Sequence, residues 1–377
     1  MNFELTDERR MLQDTLRRFL SDRYTTAARN AILESDAGFS AEIWSALAEL
    51  GVLGALFSEA DGGFGGTGFD IATVFEELGR AGVVEPVLDT AMLGGGLLAL
   101  LGDANQRAVL DKLVGGALHL AFAHGEPGSR YDLARIETTA SQDGANLTLS
   151  GRKAVVANAE AADYLIVSAR ESGAVDDRAG ISLFLVPKDA KGLSLHGYPL
   201  ISGGRAAEVT LNDVALPESA RLGPAGQVFD AIETAVARAN VALAAETLGA
   251  METATGLTRD YLQTRKQFGR PIGTFQALQH RFADLLIELE QARSAVINAA
   301  GHLEDSPGIR DLNIAAARNL IGRAGRQVAE EAIQMHGGIA MTQEYELAHI
   351  AKRIVMTDHR LGDTDWHLER FIALCAA

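Results

Sequence analysis

Cysteine is almost missing. Cys375 stands alone among 377 residues, which excludes an internal disulfide, leaves no Cys-based metal site and fits a reducing cytosol. Positive charge is scarce as well, with 34 Lys and Arg against 50 Asp and Glu and a net charge of −16. Such a field repels nucleic acid and anionic lipid, so a phosphate-bearing ligand needs a local basic pocket. The longest apolar run, "AMLGGGLLALL", is too short and glycine-rich to span a bilayer. The opening "MNFELTDERRMLQDTL" has no basic region followed by an apolar core, and so does not read as a secretory signal. Also absent are a Gly-rich phosphate loop between strand and helix, paired histidines at metal-ligand spacing and a nucleophile elbow. Hydrolase and metalloenzyme readings therefore start weak. The expectation is a cytoplasmic protein with no metal, no nucleic-acid partner and no membrane insertion.

What is present is length and apolar content. A chain of this size, 47% hydrophobic, exceeds one ordinary core and predicts two or three domains. The first third is helical: after Thr6, a candidate N-cap, the residues Met11, Leu12, Leu16, Phe19 and Leu20 recur at helical spacing. "SAEIWSALAELGVLGALF" and "FDIATVFEELGRAG" repeat the pattern until glycines end it. From about Leu118 the period changes. "HLAFAHGEP", "NLTLSGRKAVVAN", "DYLIVSAR", "GISLFLVPKD" and "AAEVTLNDVALP" read as strands without intervening helices, which predicts a small antiparallel barrel or sandwich. After "GPAGQ" the chain is helical again; Leu278, Phe282, Leu285, Leu289, Ala292 and Val296 line one face, and long helices with short breaks imply a bundle. The predicted class is α+β: a helical domain over 1–116, a β domain over 117–222 and a helical bundle over 223–377.

One stretch concentrates positive charge. "YLQTRKQFGRPIGTFQALQHR" places Arg265, Lys266, Arg270, His280 and Arg281 around a Phe268-Gly269 break. Guanidinium groups there suit a diphosphate, although a solvated basic helix end has the same composition. "RKQFGRPIGTFQALQHRFADL" together with "QMHGGIAMTQEYELAHIAKR" resembles the paired carboxy-terminal motifs of the acyl-CoA dehydrogenase family. The α, β, α order and the length match that family too, so the resemblance spans essentially the whole chain. It implies an amino-terminal helical domain, a central antiparallel β domain and a carboxy-terminal four-helix bundle. It also implies FAD lying across a subunit interface, with its diphosphate and adenine held by the neighbouring chain. Arg265, Phe268 and Gln276 fall in the first motif and Gln334, Gly337 and Gly338 in the second. Gly337 and Gly338 equally suit a helix C-cap, and His336 alone carries no catalytic role. In "AFAHGEPGSRYD", which resembles the flavin-side motif, Glu126 and Gly128 are cofactor candidates.

The family's reaction removes a proton from the acyl Cα while a hydride leaves Cβ, and its usual base is a glutamate before the last helix. Aligning "HLERFI" with that pattern puts Asp363 there as the tentative base. Asp365 then reads as the N-cap of the last helix. Aspartate is one carbon shorter than glutamate, roughly 1.5 Å of reach, so a polar loop residue is the competing reading for Asp363. Other members take a base from an earlier helix, where this chain has Ala239 followed by Asn240; Glu233 and Glu246 are out of register. Gly125, Val155 and Ala157 replace the usual threonine, tryptophan and threonine beside the flavin ring. Half a cofactor site implies a second, unlike dehydrogenase chain supplying the other half, as in heteromeric family members acting on steroid side-chain or pimeloyl-type thioesters. A self-sufficient homo-oligomer using Asp363 and a non-catalytic scaffold are the alternatives. The resemblance further implies an acyl-CoA substrate and an electron-transferring flavoprotein as acceptor.

Overall fold

The computed structural model describes residues 5–376; the first four residues of the stretch tested as a signal, and Ala377, lie outside them. Six helices come first: α1 (Asp7–Arg23), α2 (Thr26–Glu34), α3 (Ala41–Glu49), α4 (Gly68–Ala81), then, after a π-helical segment at Leu88–Gly95, α5 (Gly96–Leu101) and α6 (Ala104–Val114). Eight strands follow: β1 (Leu120–Ala123), β2 (Thr139–Asp143), β3 (Asn146–Ala157), β4 (Tyr164–Arg170), β5 (Ile181–Pro187), β6 (Leu193–Pro199), β7 (Arg205–Pro217) and β8 (Arg221–Leu222). The last part holds α7 (Phe229–Thr264), the short strands β9 (Lys266–Gln267) and β10 (Arg270–Pro271), α8 (Gln276–Gly301), α9 (Pro307–His336), α10 (Glu346–Thr357) and α11 (Thr364–Ala376). The helix, strand, helix order is the one anticipated.

Packing divides the chain into two compact units that cut across the three sequence segments. One gathers residues 1–31, 67–83 and 240–377; the other gathers 32–66 and 84–239. α7 starts in the second and continues in the first.

The second unit is built on one sheet in the order β6-β7-β3-β2-β4-β5-β8, with β1 beside β4. Most pairs are antiparallel, as expected, but β1 and β2 both run parallel to β4. The reason is chain path: the β2–β3 hairpin is inserted between β1 and β4, so both reach β4 by crossovers rather than tight turns. The core contains Leu147, Leu149, Leu165, Val167, Phe184 and Val209, all inaccessible. The run "AMLGGGLLALL" is π- and α-helix, buried from Ala91 to Leu98, and its glycines let neighbours approach: a Cβ at Gly94 would meet Leu120 at 2.6 Å, and one at Gly95 the Phe57 ring at 2.6 Å.

In the first unit, α8 buries Leu285, Leu289, Ala292 and Val296 as its periodicity predicts, while Leu278 and Phe282 stay partly exposed. α4 and α7 touch backbone to backbone: a Cβ at Gly79 would strike the Glu246 carbonyl, and one at Gly249 the Glu76 carbonyl. A ring of alternating charge closes beside this crossing, with Arg80 and Arg293 each reaching both Glu76 and Glu252. Burial, then the Glu252 charge, pushes the Glu76 carboxyl up to about 7. Among the described residues no helix is long and apolar enough to cross a membrane.

Candidate active site

The basic motif begins where α7 stops. β9 and β10 pair across a two-residue turn, Phe268 and Gly269, with φ of 53° and 81°. Two positive φ values match the twist of a tight hairpin, and Gly269 takes that conformation freely whereas Phe268 is strained in it. Phe268 is 91% exposed at the tip, edge-on to Phe275 at 6.1 Å, and the Arg270 guanidinium lies 4.3 Å over the Phe275 ring. Arg265, Lys266 and Arg270 are exposed, and none has a carboxylate within 4.0 Å among the described residues. Arg281 leaves the cluster drawn from sequence, because its guanidinium holds Glu331 in two bonds of 2.7 and 2.9 Å. Gln276 opens α8, whose N-terminus has no side-chain cap; its first amides still point out of the helix. Three cations without acidic partners, beside uncapped amides, fit a diphosphate.

The second motif ends α9. Gln334 is exposed, Gly337 is the C-cap at φ 70° and ψ −149°, and neither Gly337 nor Gly338 would put a Cβ within 4 Å of another atom. The glycines therefore serve as a helix end and leave open space where a ligand backbone or ring can approach. Both motifs lie in the first unit.

The residues whose motif resembles the family's flavin side lie in the second. Gly128 turns the loop after β1 with φ 86°. Glu126 requires correction: its carboxylate faces inward and accepts from Lys153 Nζ (2.6 Å), Glu137 N (2.6 Å) and Thr138 N (3.0 Å). Those donors occupy it, so it fixes the loop instead of presenting oxygen to a cofactor. Lys153, wholly inaccessible, also donates to Ser168 Oγ at 3.0 Å, and Ser168 in turn bonds His124 Nδ1 at 3.0 Å. Burial draws the Lys153 ammonium down to about 8 and, helped by Lys153, the His124 imidazole down to about 3. The sequence did carry a signal for Lys153, a lysine in the inward phase of an alternating strand. Val155 is 60% exposed with φ 52°, at an irregularity of the β3–β7 ladder, and its N–H donates to Glu208. No aromatic ring stands at 155, and no hydroxyl at 125 or 157.

The N-cap expected at Asp365 falls on the other aspartate. Asp363, not Asp365, is the N-cap of α11: its Oδ1 accepts from Trp366 N at 2.8 Å and its carbonyl from His367 N at 3.0 Å. Helix α11 starts at Thr364, two residues earlier than an N-cap at Asp365 would place it, which puts Asp365 in the first turn and in solvent. The other carboxylates near the family's alternative position are taken by arginines, Glu233 by Arg178 and Glu246 by Arg353 at 2.6 Å. Ala239 and Asn240 are buried.

Comparison with known proteins agrees with this geometry. The amino-terminal, middle and carboxy-terminal domain models of acyl-CoA dehydrogenase match residues 6–117, 121–214 and 228–372. Acyl-CoA dehydrogenase FadE12 of Mycobacterium tuberculosis is 30% identical over 335 residues, 86% of this chain and 83% of its own. A solved structure named as the Tcur3481-Tcur3483 steroid ACAD is 33% identical, covers 98% of each chain and has a TM-score of 0.88. An FAD complex of PigA is 26% identical, covers 100% of this chain and 99% of its own, and has a TM-score of 0.92. The chain belongs to the acyl-CoA dehydrogenase family, FAD-dependent oxidoreductases that act on CH–CH bonds.

Proposed function

We propose that this chain carries out FAD-dependent α,β-dehydrogenation of an acyl-CoA thioester as one of two unlike dehydrogenase chains that share a flavin site. The exposed hairpin carries this reading: a phenylalanine 91% exposed in a strained turn, flanked by three cations without acidic partners, is costly in a lone chain and useful against a second one. FAD, when bound, supplies the hydride acceptor. This chain's own part is at the other end of the cofactor. Arg265, Lys266 and Arg270 would neutralise its diphosphate, Gln276 and Gln334 would hydrogen-bond it, and Gly337 and Gly338 would let it close on the backbone. Proton removal from the acyl Cα needs a carboxylate free to accept; Asp363 is capping a helix, so we assign that step to the partner chain. The neighbour named for two chains and a steroid supports both the unlike pair and a bulky acyl group, and electrons would pass to an electron-transferring flavoprotein.

An absorption spectrum and native mass of the chain alone, then co-expressed with its candidate partner, test this. A colourless lone chain that gains about one flavin per unlike pair is the expected result. Stoichiometric flavin and turnover in the lone chain would overturn the need for a partner.

A further inference from the structure

The two cofactor motifs are far apart in sequence, and one side chain that the sequence left without a role joins them. His336 is the last residue of α9, 4% exposed, directly before Gly337. Its Nδ1 lies 2.8 Å from the Ala332 carbonyl, an acceptor only, so Nδ1 carries the hydrogen. Nε2 is then an acceptor in the neutral ring, and it receives the Tyr345 hydroxyl at 3.1 Å. Burial lowers the His336 pKa and raises that of Tyr345, which keeps both in these forms. The ring face stacks on Tyr261 at 4.4 Å and 25°. Tyr261 is in the last turn of α7, and its carbonyl receives the N–H of Arg265 at 2.8 Å.

This geometry has two effects. The His336–Tyr345 bond joins the ends of the segment 337–345, so the Gly337-Gly338 turn is held at its base while its outer side stays open; farther along, His349 holds the Gln343 carbonyl at 2.8 Å. The His336–Tyr261 stack fixes that turn relative to Arg265 and the hairpin beyond it. We infer that His336, with Tyr345 and Tyr261, is a positioning residue that sets the spacing between the basic hairpin and the glycine turn for a ligand carrying adenine and a diphosphate. The inference rests on the diphosphate role proposed for Arg265.

The test uses ADP, which has the adenine and diphosphate but no flavin ring, titrated calorimetrically into the full chain. The variants are Tyr345→Phe, which removes only a hydroxyl, His336→Phe, which keeps an aromatic face, and the double variant. Wild type binds ADP; each single change weakens it about tenfold, and the double change weakens it no further, because all three delete the same His336–Tyr345 bond, the Nδ1 bond that His336→Phe also removes lying within α9. Adenosine, lacking the diphosphate, binds weakly to all of them alike, and melting of Tyr345→Phe stays within about 2 °C of wild type. Wild-type affinity in Tyr345→Phe, or additive losses in the double variant, would overturn the positioning role while leaving the diphosphate site standing. Absence of ADP binding in wild type would overturn both.

Discussion

At the scale of single residues, position and partner decide what each carboxylate does. Asp363 illustrates it: the residue type and the family alignment point to a base, yet the first-turn amide of Trp366 claims one of its oxygens. Asp363→Asn keeps an acceptor for that amide and removes any basicity. We predict wild-type turnover and melting temperature for it in the assembled enzyme, whereas Asp363→Ala loses about 1 kcal/mol of stability through the missing cap. A large loss of turnover in Asp363→Asn with unchanged melting would instead make Asp363 the base. Glu76 gives a second case. Its carboxyl loses a proton near 4.5 in the unfolded chain and at about 7 in the folded one. The folded state therefore binds more protons between these values, and stability falls as pH rises through that window. Glu76→Gln should melt like wild type at pH 5 and higher at pH 8, by at most about 3 kcal/mol; identical curves at both would refute the shift.

At the scale of elements, burial decided what sequence could reveal. The expected strands that became β3, β4, β5 and β7 each place several side chains in the core, so alternation marks them. β2 and β6 went unread because they put little inside: β2 buries only Ala140, and β6 buries no residue fully and contains Gly197. The helices were legible through caps as well as periodicity, Thr6 accepting from Arg9 N at 3.3 Å and Gly82 closing α4 in the left-handed region. For the site, the motifs placed the hairpin and the glycine turn, but the inward Glu126 carboxylate was illegible because its partners, Lys153 on β3 and Glu137 and Thr138 in the segment before β2, come together only in the folded chain. That buried pair ties the loop after β1 to β3. Lys153→Met should cost about 3–5 kcal/mol by leaving Glu126 buried without its counter-ion, and adding Glu126→Gln should recover part of it. Urea unfolding of the single and double variants checks this; equal midpoints for wild type and Lys153→Met would remove the strut.

At the scale of the whole molecule, acid should be the weak side. His124 in one unit and His367 in the other are each held down to about 3 chiefly by burial, His367 with help from Arg318 and Arg370. Their folded pKa values lie below the unfolded one, so the stability they confer is complete above about pH 6.5 and is lost as pH falls toward 3. Two buried imidazoles thus act in this direction, against the one raised carboxyl at Glu76. We predict a urea midpoint that drops steadily from pH 6.5 to pH 4; a flat profile would show that neither ring is buried in its neutral form.

The two-unit division has a consequence for how the chain is made. Every segment of the sheet-bearing unit has been synthesised once residue 239 is added, but the helical unit needs residues 1–31 and 67–83 to meet 240–377. On the ribosome, α1 and α4 are therefore finished early, with the apolar faces that include Leu16, Leu20, Val74 and Phe75, and wait for α7–α9 to emerge. A delay of that kind exposes sticky surface for the time taken to translate the last third of the chain. The helices read first in the sequence would then be among the last to find their place, and would depend most on holdase chaperones during synthesis.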